Sequence, residues 1–383
     1  MTTSARMPAV DAMRLLAAVA VLLFHWFADR RITTAAFGWD ADDVPRWLAG
    51  AGAYGFLGVP VFFVISGIVM VPSATRTGPA RFLFARAVRL LPLFVPIATV
   101  SAVLAVVDGR LTSLTPAEAL LSPLLLSDVL HVPWADPPFW TLWAELRFYA
   151  LLAVVMVVAR PLDVPRVVAA AYAWLAVALA ARQAGAPTGV LTVALQYEYA
   201  PAFVLGLLLG AWRFGARALV VLPGVLVTTT LLGLHTADHV DLIAPDAVVP
   251  RSPTVGAALL VASVVVLAVA TRVVLPARPT RLVQDAAGMT YPLYLVHLAW
   301  GATLAATLVE LGAPPLGAAV GAGVVVLALA YVLGTVLEPR LRAALTRRLW
   351  DVHPDATPQP LHAGRGRRAG APAAPAPPPA SSV

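Results

Sequence analysis

The sequence predicts an all-α integral membrane protein with about ten transmembrane helices. Of its 383 residues, 60% are hydrophobic and 12% are charged, and the mean hydropathy is +0.83. Soluble proteins average about 25% charged residues, so this chain lacks the polar side chains that a water-exposed surface requires. A transmembrane helix needs roughly 20 mostly apolar residues, and the chain contains ten such stretches, separated by Pro, Gly, Asp and Arg.

These ten apolar stretches follow one another along most of the chain. In order, they cover residues 10–28, 51–73, 82–107, 139–159, 166–183, 191–213, 217–235, 254–275, 286–309 and 315–337. The longest outer connection, residues 108–138, contains the apolar segment ALLSPLLLSDVL, which is too short to cross a bilayer. We therefore expect a re-entrant or interfacial segment between spans 3 and 4.

The placement of charged residues predicts that both termini lie in the cytoplasm. All 27 basic residues are arginine. They concentrate after the even-numbered spans and after the last one, whereas the odd-numbered connections carry acidic residues such as Asp40, Asp108, Asp136 and Asp238. Cytoplasmic loops of membrane proteins are enriched in basic residues. The same distribution explains the formal charge of +7 without a nucleic-acid partner.

Composition divides the chain into two parts. Residues 1–350 contain all ten spans, and residues 351–383 are rich in Pro and Ala. The second segment lacks the pattern of a packed core and is typical of disorder. We expect a transmembrane domain over 1–350 and a disordered cytoplasmic tail over 351–383. The chain has no cysteine, which excludes disulfides and thiolate nucleophiles from it.

Titratable side chains inside the predicted spans are the main functional signal, because a charge near the bilayer centre costs about 2.5–3.5 kcal/mol. Arg14 and His25 lie eleven residues apart in the first span, which corresponds to about 16 Å along a helix and nearly the same face. Glu145 in the fourth span and His297 in the ninth reach a similar depth to His25. We expect His25, Glu145 and His297 to converge in the outer half of the membrane.

Arginines near the cytoplasmic side predict a phosphate-bearing substrate. Arg86 and Arg89 form an R-x-x-R pattern in the third span, and with Arg14 they predict a cluster of three guanidinium groups. Guanidinium groups suit phosphates because their donors match phosphate oxygens in bidentate geometry. The arginines near the cytoplasmic side, together with the titratable imidazole of His25 in the outer half of the membrane, predict group transfer to or from a substrate that reaches through the bilayer.

Five blocks of the sequence occur in a fixed order. They are DAMRLLAAVAVLLFH, GVPVFFVISGIVM, RFLFARAVRLLP, FWTLWAELRFY and YPLYLVH. On these blocks, over residues 9 to about 340, the chain resembles the membrane-bound acyltransferase-3 family of bacterial sugar and antibiotic O-acyltransferases. It departs from the family pattern at Trp143-Ala144 and at Tyr291-Pro292.

The resemblance implies an O-acyltransferase of the bacterial cytoplasmic (inner) membrane. Its donor is expected to be cytoplasmic acyl-CoA, with acetyl-CoA favoured, and its acceptor a hydroxyl of an envelope glycan, a glycolipid or a macrolide-type metabolite. Acyl-CoA, this sugar-bearing acceptor and the lipid bilayer are the expected partners, and nucleic acid is not. Neither a metal nor a permanently bound cofactor is expected.

The resemblance also assigns roles to individual residues. His25 is expected to act as general base on the acceptor hydroxyl, oriented by Glu145, because imidazole titrates near neutrality. Arg14, Arg86 and Arg89 are expected to bind the phosphates of CoA. Four further residues are expected to bind the acceptor: His297, Arg147, Tyr294 and Trp140.

Structural explanations remain open for several of these residues. Arg14 could mark the cytoplasmic end of its helix by snorkelling, and the pair Arg86 and Arg89 could only determine topology. Glu145 could pair with an arginine for purely structural reasons. Either of the two intramembrane histidines could be a hydrogen-bonded core residue, and Arg147 is as compatible with a structural role as with acceptor binding.

Alternatives also remain for other polar residues and for the function. Ser66 more often bonds the backbone of its own helix than acts as a nucleophile. His235 and His239 have the spacing of metal ligands on a helix, although a solvated outer loop is favoured. A transporter or flippase of a polar lipid or sugar is the alternative function, because intramembrane charges also line transport pathways.

Overall fold

A computed structural model of the protein describes residues 7–40, 43–185, 190–243, 247–273 and 277–349. Within these ranges the structure is helical and contains no named β-strand. The predicted tail over 351–383 lies outside the described residues, as does the structure of the connection around Asp246.

Sixteen α-helices follow one another in the described part of the chain. They are α1 (Pro8–Phe27), α2 (Arg30–Phe37), α3 (Arg46–Gly52), α4 (Gly58–Ala74), α5 (Pro79–Val107), α6 (Pro116–Ala119), α7 (Phe139–Val158), α8 (Val164–Gln183), α9 (Val190–Leu195), α10 (Ala200–Arg213), α11 (Ala218–Ile243), α12 (Pro253–Ala270), α13 (Ala277–Val296), α14 (Ala299–Glu310), α15 (Pro315–Tyr331) and α16 (Glu338–Leu349). A 3₁₀ turn over Gly55–Leu57 precedes α4, and a π-helical stretch over Val332–Leu337 joins α15 to α16.

The prediction of about ten transmembrane helices is confirmed. Among the described residues, nine helical segments are long and apolar enough to cross a bilayer, and a bent pair makes a tenth. This pair consists of Ala286–Val296 and Ala299–Glu310, and its two parts meet at an angle of 69°. The sequence predicted an unbroken ninth span at this place, because apolar composition does not reveal where a helix axis changes direction.

The long connection between α5 and α7 contains one four-residue helix, α6, among turns. Three of its leucines face outward: Leu120, Leu124 and Leu130 are 67%, 63% and 54% exposed. Exposed leucines in a turn-rich segment are typical of an interfacial position, because a re-entrant hairpin would bury its backbone within the protein. Of the two predicted alternatives for residues 108–138, the structure favours the interfacial one.

Helices α4 and α10 pack with their backbones in contact at glycine residues. A Cβ atom on Gly206 would lie 2.1 Å from the carbonyl oxygen of Val64, and one on Gly67 would lie 2.5 Å from that of Phe203. Such close approach gives transmembrane helices the van der Waals contact that holds them together in lipid. The contact also fixes the neighbouring Ser66, which belongs to the site described below.

We expect Gly206→Ala to lower the stability of the protein by about 1–3 kcal/mol, the usual cost of overpacking a core. The added methyl group would meet the rigid backbone of α4, which cannot move aside as a side chain can. The unfolding temperature of the purified protein in detergent measures this loss. Gly233→Ala in α11 is the matched control, since nothing lies within 4 Å of its added Cβ. Equal unfolding temperatures for the two variants would contradict the packing described.

Candidate active site

Two adjoining cavities lie among α1, α4, α5, α7, α10, α11 and α13. The arginine cavity is lined by Arg14 and Arg89 and has a volume of about 90 Å³. The histidine cavity is lined by His25 and has a volume of about 490 Å³. The sequence predicted a substrate that reaches from the arginines to the imidazole, and the structure provides two cavities that share part of their lining.

The arginine cavity is built around the carboxylate of Glu145. Its Oε1 accepts a hydrogen bond of 2.6 Å from the Ser66 hydroxyl and another from the Tyr149 hydroxyl, one helical turn further along α7. Arg14 and Arg89 line the same cavity. Ser66 was expected to bond the backbone of its own helix. Its hydroxyl instead donates to a carboxylate on another helix. The cavity combines two cations with one anion and two hydroxyls.

Arg86 is absent from the lining of the arginine cavity. Its guanidinium lies over the Phe82 ring, 5.9 Å from the ring centroid. Residues three apart on a helix differ by about 60° in direction. This difference suffices for Arg89 to face the cavity while Arg86 packs against its own helix. Two of the three predicted arginines therefore line the cavity, while the third, Arg86, lies near enough to interact with Glu145 and Arg89.

His25 lines the histidine cavity, and the buried ring of His297 lies next to it, with the two ring centroids 5.4 Å apart. Glu145 is not part of this group, because its carboxylate lies in the other cavity. The predicted convergence of three residues is therefore corrected to two. Counting residues from the ends of a span gives approximate depth, but it does not resolve which of two stacked cavities a side chain enters.

Aromatic and polar side chains complete the histidine cavity. The rings of Trp140 and Tyr199 lie 5.2 Å apart at an angle of 30°, which gives the cavity an aromatic wall. The polar lining residues are Asp29, Arg31, Thr141, Glu198, His235, Thr236 and Tyr294. The cavity thus presents aromatic faces together with hydrogen-bonding groups of both charges.

His235 lies within α11, not in the outer loop that was expected. It lines the histidine cavity, so the expected assignment to a solvated loop missed its place in the site. The side chain of His239 lies outside the described residues. In the part of the chain that the structure describes, no group of three or more His, Cys, Asp or Glu side chains could hold a metal ion.

A thin wall separates the two cavities. Four residues line both of them: Val59, Phe63, Thr141 and Tyr294. The Tyr294 hydroxyl lies 2.6 Å from the Thr141 hydroxyl and donates to the Pro138 carbonyl oxygen at 2.8 Å. Tyr294 therefore holds the boundary between the two cavities, and Trp140 stands on the histidine side of it.

The break between α13 and α14 is held by partners outside those helices. The carboxylate of Asp136 accepts a hydrogen bond of 3.1 Å from the backbone N–H of Ala299, the first residue of α14. The Trp26 indole donates to the carbonyl oxygen of His297 at 2.8 Å. Asp136 is fully buried, and this burial raises the pKa of its carboxyl to about 7. These contacts satisfy backbone groups that the bend removes from the helical pattern.

Sequence reasoning missed the importance of Asp136, Ser66 and Tyr149. Asp136 was assigned only to an acidic outer connection, although its position directly before the block FWTLWAELRFY was a usable signal. Tyr149 lies at i+4 from Glu145, a spacing that brings two side chains together on a helix. Arg147, by contrast, faces a third cavity beside Trp143 and donates to the Val193 carbonyl oxygen at 3.2 Å. The structure thus separates Arg147 from the other expected acceptor-binding residues.

Comparison with known proteins supplies the family. A family model described as an acyltransferase domain, that of the acyltransferase-3 family, matches residues 7–335. No curated protein and no solved structure matches the chain. The matched range contains all five blocks and both cavities described above. The chain therefore belongs to the acyltransferase-3 family, and the protein is a multi-pass membrane enzyme that transfers acyl groups.

Proposed function

We propose that the protein transfers an acyl group, with acetyl favoured, from cytoplasmic acyl-CoA to a hydroxyl of a sugar-containing acceptor. The observation that carries this proposal is the pair of adjoining cavities, one lined by arginines and the other by a histidine, which have four lining residues in common. A donor and an acceptor held on the two sides of this wall would meet beside Thr141 and Tyr294.

In the proposed reaction, His25 removes the proton from the acceptor hydroxyl while the hydroxyl oxygen attacks the carbonyl carbon of the thioester. A carbon–oxygen bond forms, the carbon–sulfur bond breaks, and the proton passes from His25 to the departing CoA thiolate. A neutral imidazole suits this task because it can accept and return a proton near neutral pH. The accessibility of His25 from the larger cavity supports this role.

The arginine cavity suits the reactive end of an acyl-CoA. Pockets that enclose drug-sized ligands have volumes of roughly 300–1,000 Å³, so a cavity of about 90 Å³ has room for the acyl thioester but not for the nucleotide. Arg14 and Arg89 line this cavity, which supports a role beyond snorkelling. The positive-inside pattern supports a cytoplasmic position for it. Arg86 does not line this cavity, but its charge interacts with Glu145 and Arg89, so its proposed role in binding the CoA phosphates is kept.

The histidine cavity suits a sugar. Its volume of about 490 Å³ lies within the range of small-molecule sites. The aromatic faces of Trp140 and Tyr199 offer packing surface to the apolar side of a sugar ring. Asp29 and Glu198 supply carboxylate acceptors for sugar hydroxyl groups. This combination favours a neutral polyhydroxylated acceptor, as in an envelope glycan, a glycolipid or a glycosylated metabolite.

We expect Arg14→Ala and Arg89→Ala each to raise the KM for acetyl-CoA by about 10- to 100-fold. Each substitution removes a guanidinium that is proposed to donate hydrogen bonds to acyl-CoA, and losing a bond from a charged donor has about this effect. Membranes that contain the protein are incubated with acetyl-CoA labelled in the acetyl group, and transfer to lipid and glycan fractions is measured. Arg81→Ala is the matched control, because Arg81 is exposed at the start of α5. An unchanged KM in both cavity variants would contradict the donor site. Label that remains wholly on CoA in every fraction would contradict the proposed reaction.

A further inference from the structure

We infer that His297 is a positioning residue that fixes the tautomer of His25. In this arrangement the Nε2 atom of His297 accepts a hydrogen bond from Nδ1–H of His25, which leaves Nε2 of His25 as the basic nitrogen in the histidine cavity. The inference deepens the proposed function, since it rests on His25 as the base, and it gives His297 a role other than acceptor binding.

The tautomer of His297 follows from its own hydrogen bond. Its Nδ1 lies 2.7 Å from the backbone carbonyl oxygen of Tyr294. A carbonyl oxygen can only accept, so Nδ1 of His297 must carry the proton. In a neutral imidazole the other nitrogen, Nε2, then has a free lone pair. His297 is only 1% exposed, and its Nε2 is buried with no hydrogen-bond partner among the described residues.

His25 presents the complementary nitrogen. Its Nδ1 is also buried and, within the described ranges, makes no hydrogen bond, whereas its Nε2 is not among the buried, unpaired atoms. Since His25 lines the histidine cavity, Nε2 is the nitrogen that an acceptor hydroxyl can reach. Each ring therefore has one buried nitrogen in need of a partner, and the ring centroids are 5.4 Å apart.

In the proposed arrangement the His25 ring turns so that these two nitrogens meet, while the His297 ring keeps its bond to the Tyr294 carbonyl oxygen. A buried polar group without a hydrogen-bond partner is unfavourable, so pairing the two nitrogens lowers the free energy. The torsion that turns an imidazole ring has broad minima. Hydrogen bonds in active sites are also often long or misaligned before the substrates bind and shorten in the reactive complex.

The backbone around His297 is fixed relative to α1. The Trp26 indole, next to His25 in sequence, donates to the His297 carbonyl oxygen, and Asp136 holds the start of α14 two residues later. An imidazole partner also introduces no charge, whereas a buried carboxylate in this position would be costly inside the membrane. The chain of hydrogen bonds thus runs from the Tyr294 carbonyl through His297 to His25 without an ion.

Amide substitutions at position 297 test this role through activity. His297→Asn can reach the Tyr294 carbonyl but not His25, whereas His297→Gln places an amide oxygen near the former Nε2. We expect kcat to fall by about 10²- to 10⁴-fold in His297→Asn, the range seen when a catalytic base loses function or its correct tautomer. We expect the kcat of His297→Gln to be at least about tenfold higher than that of His297→Asn. The KM for acetyl-CoA should stay unchanged in both variants, because the arginines lie in the other cavity.

Solid-state NMR of the ¹⁵N-histidine-labelled protein in lipid bilayers provides a second measurement that is independent of activity. Signals are assigned with His25→Ala and His297→Ala variants. We expect His25 to be the Nδ1–H tautomer in the wild type and to lose this preference in His297→Asn. An Nε2–H tautomer in the wild type, or equal kcat values for the Asn and Gln variants at equal protein levels, would overturn the inference. Full acyl transfer by His25→Ala would instead overturn the proposed function, and the tautomer measurement would still stand.

Discussion

His25→Ala is expected to lower the kcat of acyl transfer by at least about 10²- to 10⁴-fold, the contribution of a positioned general base. Alanine leaves no group in the histidine cavity at this position that could remove the proton from the acceptor hydroxyl. The KM for acetyl-CoA should change little, because Arg14 and Arg89 line the cavity on the other side of the wall. Transfer of labelled acetyl groups by membranes with equal protein levels measures both quantities.

The control for this prediction is His353→Ala, which removes a histidine from the predicted tail and should leave transfer at the wild-type rate. His25→Gln adds a second comparison, because glutamine keeps a hydrogen-bonding group of similar reach but cannot act as a base. It should be as inactive as His25→Ala. If His25→Ala retained transfer within about twofold of the wild type, His25 would have no part in proton transfer.

The second large effect is expected for Glu145→Ala, which should destabilise the protein by about 1–3 kcal/mol for each of the two hydroxyl groups that lose their acceptor. This substitution removes the negatively charged side chain that lines the same cavity as Arg14 and Arg89. It also removes the oxygen that accepts hydrogen bonds from Ser66 and Tyr149. The loss of this oxygen leaves the hydroxyl groups of Ser66 and Tyr149 without their acceptor, which is more costly than removing both members of a pair. Glu145→Gln keeps an oxygen acceptor, so its effect should be smaller.

The unfolding temperature in detergent, monitored by circular dichroism, measures the Glu145 effect. Glu310→Ala is the matched control, because Glu310 pairs with Arg110 at 3.1 Å but its side chain is 64% exposed. Exposed pairs of this kind contribute about 0–1 kcal/mol. A double-mutant cycle with His25→Ala should show additive stability effects, since the two side chains occupy different cavities. Equal unfolding temperatures for Glu145→Ala and Glu310→Ala would contradict the role of Glu145 in the arginine cavity.

Several features of the fold could be predicted because they depend on local composition. The ten spans were predicted within a few residues at most ends, since a bilayer requires long apolar stretches and excludes charge between them. The family followed from five short blocks, and the match over residues 7–335 confirms it. The cytoplasmic position of both termini stays a prediction from the arginine distribution.

The composition of the sequence thus determined that lipid is the main solvent, how many spans cross the membrane and which types of functional side chain they carry, because each depends on a single stretch of chain. Tertiary structure alone decided that Glu145 joins the arginines while His297 joins His25, that Arg86 turns to Phe82, and that buried Asp136 holds the broken helix. These outcomes depend on the rotation of each helix about its axis and on the neighbour it packs against. Apolar spans without a strong polar face leave that rotation open, and it is fixed only when close contacts such as that between Gly67 and Gly206 form.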